Sequence, residues 1–407
     1  MNQTRLMKLI RIAPAFVVIL SGIVAALHIG KMPPAIPVLR EALGVTLVEA
    51  GFLLSMVQLA GMTVGVLVGV ATDSIGRRRS MIAGQLILAI ASVSGMWAQH
   101  PADLLLLRAL EGLGFLLIVL PAPSLIRQLV PLTQLAFHLG LWGTYMPTGA
   151  ALALFCAPTM MSLLGWHGWW GLLGGFSAAM ALWVFLQVPP EHGDRGAVPA
   201  ASQATAGEAW WQRLRLTLSS SGPWRVAIAF LLYSSQWLAV IGFLPSIYAQ
   251  AGLSGQMAGS LTALASLVNI TGNIAAGRLL HRGVSARHLL YVGFGTMAVA
   301  TFLAFGQLTI EAPAIRYLAV LVFSSVGGVI PGTLFSLAVH VAPSERTVTT
   351  TVGWMQQCSA TGQFLGPPLV AWLATQTGGW HWTWVATGIA SLIGLLLARG
   401  VNFSKHA

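Results

Sequence analysis

The succession of long apolar stretches along the chain is the feature that most limits its fold. A helix that crosses a bilayer needs about 20 mostly apolar residues. Apolar stretches of this size, bounded by charged residues, Pro or Gly, occupy residues 12–39, 47–71, 80–99, 104–126, 134–163, 169–188, 224–249, 256–277, 288–307, 315–340, 348–375 and 380–398. Only 8% of the 407 residues are charged, whereas soluble proteins carry about 25%. We therefore predict an all-α membrane protein with twelve transmembrane helices.

The amino-terminal residues have the basic-then-apolar order of a signal peptide. The basic residues lie within residues 1–11, and an apolar run begins at Ile12. This run is longer than the apolar part of a signal peptide, and many similar runs follow it. We interpret it as a retained first span.

The basic residues are distributed unevenly between the two sides of the predicted membrane. With a cytoplasmic amino terminus, 17 of the 21 Lys and Arg residues face the cytoplasm, Arg40 and Arg316 face outward, and Lys31 and Arg108 lie within spans. Loops rich in Lys and Arg stay on the cytoplasmic side. We therefore expect an inner-membrane protein with both termini in the cytoplasm. The net charge of +11 then reflects topology and predicts no nucleic-acid partner.

The residues that would support a cofactor, a metal site or an enzyme are absent from the sequence. Cys156 and Cys358 are the two cysteines, and both lie in apolar runs, so we expect neither a disulfide framework nor a thiolate metal site. The chain has no Gly-x-x-x-x-Gly-Lys-Ser/Thr phosphate loop, no His-Glu-x-x-His motif and no pair of aspartates within the predicted spans. We predict no cofactor, no metal and no enzymatic activity.

An internal repeat relates the two halves of the chain. Pro37, Gly44 and Gly51 recur 208 residues later as Pro245, Gly252 and Gly259, and Gly165-Trp166-His167 recurs 214 residues later as Gly379-Trp380-His381. An ordered series of matches indicates a duplicated six-helix unit. We predict two pseudo-symmetric bundles, residues 1–188 and 224–407. Residues 189–223 form a polar stretch that is rich in Pro, Gly, Ala and Ser. We interpret this stretch as a cytoplasmic linker that ends in a short interfacial helix.

Two motifs resemble those of the major facilitator superfamily. Spans two and three are joined by Gly-Val-Ala-Thr-Asp-Ser-Ile-Gly-Arg-Arg at residues 69–78, which resembles the Gly-x-x-x-Asp-Arg-x-Gly-Arg-Arg loop of that superfamily. The pattern formed by Arg108, Glu111, Gly112 and Gly114 is similar to its fourth-span Arg-x-x-x-Gly-x-Gly. The loop departs from the family pattern at Ser74, and the corresponding segment of the second half has no carboxylate.

The resemblance implies the twelve-helix fold of bacterial members of this superfamily and a monomeric secondary active transporter. Such a protein moves a small molecule by alternating access, with a proton or another ion as the second partner. It also implies a conformational gate formed by Gly69, Asp73, Gly76, Arg77 and Arg78. The alternative is that these charges only determine the topology.

Three charged residues lie inside the predicted spans. Lys31 is on span one, and Arg108 and Glu111 are on span four, all displaced toward the outer side. A charge within a span costs about 2.5–3.5 kcal/mol on insertion scales and usually faces a cavity or a partner. The resemblance places spans one and four along a central cavity. Lys31 and Arg108 would then bind an anionic substrate, and Glu111 would couple transport to protons. The alternatives are a permanent Arg108–Glu111 pair and a Lys31 side chain that extends to the outer surface.

Uncharged polar residues are candidates for the remaining substrate contacts. His28 lies one turn below Lys31 on the same helix face, either as a proton relay or as a hydrogen-bonded core residue. The further candidates are Tyr145, Tyr233, Gln236, Ser324 and Gln357. Asn269 and Asn273 are additional possibilities. Prolines such as Pro33 and Pro34 predict kinks within the spans.

The sequence thus favours proton-coupled uptake of a small organic anion. The alternative is proton-driven efflux of a metabolite or drug. A channel or a receptor is a third class, which the duplicated halves and the Asp73 loop disfavour.

Overall fold

The computed structural model describes residues 13–190 and 210–400, and no β-strand occurs among them. The helices are α1 (Pro14–Gly30), α2 (Met32–Leu43), α3 (Leu47–Ser55), α4 (Leu59–Ile75), α5 (Arg77–Gly95), α6 (Pro101–Val119), α7 (Ala122–Leu129), α8 (Leu132–Trp142), α9 (Tyr145–Gln187), α10 (Trp210–Leu218), α11 (Ser221–Gln250), α12 (Gly255–Leu267), α13 (Asn269–His281), α14 (Ala286–Phe305), α15 (Pro313–Gly327), α16 (Val329–Val341), α17 (Val348–Thr377) and α18 (Thr383–Arg399). The all-α prediction is confirmed.

Among the described residues, each predicted span lies largely on helix. In the described part of the chain, nine helical stretches are long and apolar enough to cross a membrane, and one of them, Leu132–Gln187, covers two predicted spans. These two spans are separated within α9 at Gly165, whose φ of 68° interrupts the helix. Large apolar side chains cover the outside of the helices: Leu106 is 74% exposed and Leu132 77% exposed. Such a surface is suited to lipid hydrocarbon rather than to water.

Several spans are broken into two helices. Span one is interrupted at Lys31, because Pro33 and Pro34 have no N–H group to donate to the preceding turn. Span two contains a 3-10 turn at Met56–Gln58. Pro147 and Pro331 lie in the first turns of α9 and α16, where a proline removes no helix hydrogen bond. The other breaks lie between α6 and α7, between α8 and α9, between α12 and α13, and between α15 and α16.

The helices form two compact units. Unit one contains the described residues 13–44, 64–190 and 254–263. Within it, α1 packs tightly on α9: a Cβ atom added to Gly30 would lie 2.4 Å from the Ala150 carbonyl oxygen, and one added to Gly149 would lie 2.4 Å from that of Ile23. Small residues permit this close approach of two helix backbones.

Unit two contains the described residues 45–63, 210–253 and 264–400. Here α11 packs closely on α17: an added Cβ atom at Gly362 would lie 2.2 Å from the Leu231 carbonyl oxygen, and one at Gly366 would lie 2.3 Å from that of Ser235. The apolar core of the unit contains Phe294 among many other buried side chains.

Each unit includes a short segment from the other half of the sequence, residues 254–263 in unit one and residues 45–63 in unit two. The division into bundles 1–188 and 224–407 stays a prediction. Of the predicted linker 189–223, residues 191–209 lie outside the described residues. Its end forms the helix α10.

Candidate functional site

The three charged side chains predicted within spans lie together in unit one. Lys31 occupies the turn between α1 and α2, and Arg108 and Glu111 occupy successive turns of α6. His28, in the last turn of α1, joins them. All four side chains are buried, with 1% or less of their surface exposed. We refer to His28, Lys31, Arg108 and Glu111 as the charged cluster.

Glu111 bridges the two cations of the charged cluster. Its Oε1 atom accepts a hydrogen bond from Lys31 Nζ, and its Oε2 atom accepts one from Arg108 Nη1 at 2.6 Å. The same Arg108 nitrogen donates to the main-chain oxygen of His28 at 2.7 Å. With a neutral imidazole, two cations and one carboxylate leave the cluster with a formal charge of +1. Lys31 therefore does not extend to the outer surface in this structure.

The two ring nitrogens of His28 have different neighbours: one faces Lys31 and Glu111, and the other faces Ser177. Its Nε2 atom is hydrogen-bonded to Ser177 Oγ at 2.8 Å. Its Nδ1 atom lies 3.4 Å from Lys31 Nζ and 3.5 Å from Glu111 Oε1. A lysine ammonium has donors only, so in the tautomer whose Nδ1 accepts from Lys31, Nε2 carries the proton and donates to Ser177. In the other tautomer Nδ1 donates to Glu111 and Nε2 accepts from the Ser177 hydroxyl.

Three supporting side chains were missed by the sequence-based reasoning. Lys31 Nζ donates to Ser92 Oγ at 3.0 Å and lies 4.8 Å from the centre of the Trp170 ring. Ser92 Oγ in turn donates to the Trp170 main-chain oxygen at 2.9 Å. Ser177 is the third. The repeat contained a signal for two of these residues, because Trp170 and Ser177 recur 214 residues later as Trp384 and Ser391.

The repeat shows what the second half has in place of the charges. Gly84 lies against Ile118 in the first half, and Gly293 lies against Ile330 in the second, which aligns spans four and ten with a separation of 212 residues. At that separation Arg108 corresponds to Val320 and Glu111 to Phe323, which are 3% and 0% exposed.

Lys31 corresponds to Ala239, 208 residues later, which is also buried. The second six-helix half thus packs around apolar side chains at all three charged positions. Because buried ion pairs seldom add net stability, this comparison favours a functional role for the charges over a role in folding.

The candidate residues of the second half fall into separate places in unit two. Asn269 Nδ2 donates to Tyr233 Oη at 2.9 Å and to the Ser324 main-chain oxygen at 2.8 Å. Trp237 Nε1 donates to Ser324 Oγ at 3.1 Å. Tyr233, Trp237, Asn269 and Ser324 therefore form one polar group, and Asn273 Nδ2 donates to the Asn269 side-chain oxygen at 3.0 Å.

The remaining predicted site residues, Gln236, Gln357 and Tyr145, have other partners. Gln236 accepts a hydrogen bond from Ser391, and Gln357 Nε2 donates to the Met62 main-chain oxygen at 2.7 Å. In unit one, the ring of Tyr145 stacks on that of Trp142 at a centroid distance of 4.3 Å. Within residues 13–190 and 210–400, no three His, Cys, Asp or Glu side chains come together to hold a metal ion.

The loop predicted as a gate is described in part. Gly76 has a φ of 97°, a conformation that favours glycine, and α5 begins at Arg77 directly after it. Arg78 donates to the Phe185 main-chain oxygen at 2.6 Å, close to the carboxyl end of α9. The surroundings of Gly69 and the side chain of Asp73 lie outside what the structure describes. The role of these residues as a gate stays a prediction.

Comparison with known proteins agrees with this architecture. Residues 16–360 match the family model of the Major Facilitator Superfamily. The 2-nitroimidazole transporter of Escherichia coli is 26% identical over 370 residues, which cover 88% of each chain. The hexuronate transporter of Bacillus subtilis is 21% identical over 398 residues, which cover 94% of this chain and 93% of that one. The crystal structure of a D-xylose-proton symporter superposes with a TM-score of 0.75 at 16% identity and covers 94% of this chain and 96% of that one.

The chain belongs to the Major Facilitator Superfamily. It is a multi-pass membrane transporter and not an enzyme. The predicted twelve-helix fold of this superfamily is confirmed.

Proposed function

We propose that this protein carries a small organic anion together with a proton across the bacterial inner membrane, with both termini in the cytoplasm. The observation that supports this most directly is the bridging position of Glu111 between two buried cations. A carboxylate on the substrate is chemically equivalent to the carboxylate of Glu111. The charged cluster is therefore already suited to bind a negative group of this size and shape.

The anion enters by exchanging with Glu111 at one of the cations. Arg108 offers a planar pair of donors and Lys31 a compact point charge, and both groups bind carboxylates well. When the substrate takes over a cation, Glu111 loses a partner in a buried environment, where an unpaired charge is costly. A proton taken up by the cluster restores the balance. Transport of the anion is thereby coupled to protons through Glu111.

Polar groups outside the charged cluster bind the uncharged part of the substrate. We assign this role to Tyr145 in unit one and to Tyr233, Gln236, Ser324 and Gln357 in unit two. The segment from Gly69 to Arg78 acts as the conformational gate of the alternating-access cycle. These assignments require opening of the structure, because the charged cluster is sealed from solvent here.

The relatives support two kinds of substrate. A hexuronate carries a carboxylate, so the similarity to the hexuronate transporter favours the anion. A 2-nitroimidazole is an aromatic heterocycle without a carboxylate, so the similarity to the 2-nitroimidazole transporter favours the alternative, proton-driven efflux of a metabolite or drug.

The proposal is tested with purified protein in two steps. A thermal-shift screen against organic acids, with glucuronate as the first probe, and against nucleosides and drugs identifies the substrate class. Uptake of the stabilising acid into proteoliposomes, with an inward pH gradient, then measures transport. Vesicles loaded with the acid and an opposite gradient distinguish uptake from efflux.

The variants Lys31→Gln and Arg108→Gln each remove one cation from the site. Because a hydrogen bond to a charged group contributes about 1.5–3 kcal/mol, each variant should lower uptake at least about tenfold. Arg287→Gln is the matched control, since Arg287 is exposed and bonds Tyr291. Wild-type uptake by both Lys31→Gln and Arg108→Gln would disprove the anion site.

A further inference from the structure

One hydrogen bond occurs at the same place in both halves of the chain. In the first half, His28 Nε2 and Ser177 Oγ are 2.8 Å apart. In the second, Ser391 Oγ donates to Gln236 Oε1 at 2.8 Å. Gln236 follows His28 by 208 residues and Ser391 follows Ser177 by 214, the two separations found for the repeat. The contact between α1 and α9 thus uses an imidazole, and the corresponding contact between α11 and α18 uses an amide.

The amide version of this contact is complete. Gln236 Nε2 donates to the Leu232 main-chain oxygen at 2.9 Å, one turn earlier on its own helix, and its Oε1 atom is used by Ser391. Packing and hydrogen bonding at this position are therefore satisfied by an uncharged side chain. An imidazole adds a second ring nitrogen that binds and releases a proton near neutral pH.

That second nitrogen faces the charges of the cluster. Lys31 Nζ, on the turn after α1, lies 3.4 Å from His28 Nδ1, and Glu111 Oε1, on α6, lies 3.5 Å from it. Arg108 Nη1 donates to the main-chain oxygen of His28. Helix α9 contains no Asp, Glu, Lys or Arg, and α5 has its three arginines at its first residues, far from Ser92. The groups that respond to the charge of His28 are therefore Lys31, Glu111 and Arg108.

We propose that His28 carries the proton that accompanies the anion. This inference rests on the proton coupling proposed above and names the atom, Nδ1, on which the proton travels. Before protonation, Nδ1 accepts from Lys31. Once an N–H bond forms there, Nδ1 no longer accepts from Lys31 and donates to Glu111 Oε1 instead.

Protonation of His28 thereby exchanges the partners of Glu111. The carboxylate keeps two cations, the imidazolium and Arg108, and the Lys31 ammonium becomes available to the substrate anion. One proton and one monovalent anion together leave the formal charge of the cluster at +1. When the anion leaves, Lys31 returns to Glu111, and the N–H bond on Nδ1 breaks to release the proton to water.

The test uses His28→Gln in the full-length protein, because Gln236 shows that glutamine fits this position. The probe is the organic acid that stabilises the wild type most in the thermal-shift screen, starting with glucuronate. Its Kd is measured at about pH 5.5 and about pH 8, on either side of the usual histidine pKa. We expect the wild type to bind more tightly at the lower pH. We expect His28→Gln to bind with a Kd that does not change with pH and to lose stimulation of uptake by an inward pH gradient.

Two further variants make the outcome decisive. His167→Gln replaces an exposed histidine at the start of the sixth span and should keep the pH response. Ser177→Ala retains the imidazole without its Nε2 partner, so the pH at which binding tightens should shift while the response itself remains. If His28→Gln fails to fold, an unchanged midpoint in Ser177→Ala overturns the role of His28.

The results separate this inference from the proposed function. If the wild type responds to pH, Glu111→Gln abolishes the response and His28→Gln retains it, only the role of His28 is wrong. If no organic acid stabilises the wild type, or if binding and uptake of the acid by the wild type do not change with pH, the proposed function and this inference are both wrong.

Discussion

Glu111 contacts every other member of the charged cluster, namely Lys31, Arg108 and the His28 ring. Its removal therefore has a different consequence from removal of either cation. Loss of Lys31 leaves a paired Arg108 and Glu111. Loss of the Glu111 charge leaves two buried cations without a carboxylate between them.

We predict that Glu111→Gln destabilises the protein more than Lys31→Gln does. Breaking a buried ion pair by removing one partner costs about 3 to 5 kcal/mol, and here one substitution breaks two pairs. The double variant Lys31→Gln/Glu111→Gln should recover part of this loss, because only one cation then remains. Thermal unfolding in detergent measures all three variants, and equal melting temperatures for the two single variants would contradict the bridging role of Glu111.

The positions of the three charges along their spans were predictable from residue counting, and so was the presence of His28 on the face of Lys31. Their mutual arrangement was not. Glu111 could pair with Arg108 alone or with Arg108 and Lys31 together. The outcome depends on the rotation of α6 relative to α1, which the spacing of residues within one helix does not specify. Ser92 was missed because a serine within a largely apolar helix does not by itself indicate a binding role.

At the scale of helices, small residues determine how closely the spans approach. Gly30 and Gly149 allow the backbones of α1 and α9 into contact. This contact lies next to the turn at Lys31, so the position of the Lys31 ammonium depends on it. Pro33 and Pro34 follow that turn and interrupt the helix hydrogen bonds there, so they also affect the position of Lys31.

Gly30→Ala should therefore destabilise unit one. Its new methyl group would lie 2.4 Å from a main-chain oxygen, and extra volume in a packed interior costs about 1–3 kcal/mol. Gly175→Ala is the control: it lies in α9 with no neighbour within 4 Å of an added Cβ atom, so it should melt at or slightly above the wild-type temperature. Unfolding curves of the two variants test this, and equal stability would show that α1 and α9 separate at little cost.

At the scale of the whole molecule, the two halves combine a common framework with unequal charge. The framework includes the repeated hydrogen bonds to Ser177 and Ser391 and the repeated glycine contacts at Gly84 and Gly293. The first half alone carries Lys31, Arg108 and Glu111 at positions that are apolar in the second. The proposed cycle thus has one charged site per molecule.

With one such site, a proton and a monovalent anion should move together without net charge. We predict that uptake into proteoliposomes responds to a pH gradient and changes little when a potassium gradient with valinomycin sets the membrane potential. A divalent acid provides the contrast, since its transport with one proton would move charge and respond to the potential. Strong dependence of monovalent anion uptake on the potential would exclude the one-to-one coupling.

The sequence by itself determined the helical membrane fold, the duplicated halves and the three charged residues inside spans. It did so because length, hydropathy and repeated glycines and prolines are local properties of the chain. Tertiary structure alone decided that Glu111 bridges Lys31 and Arg108, that His28 shares their pocket, and that residues 45–63 and 254–263 pack in unit two and unit one. These are contacts between helices distant in sequence, and they depend on how each helix is rotated and how closely its small residues let it approach the next.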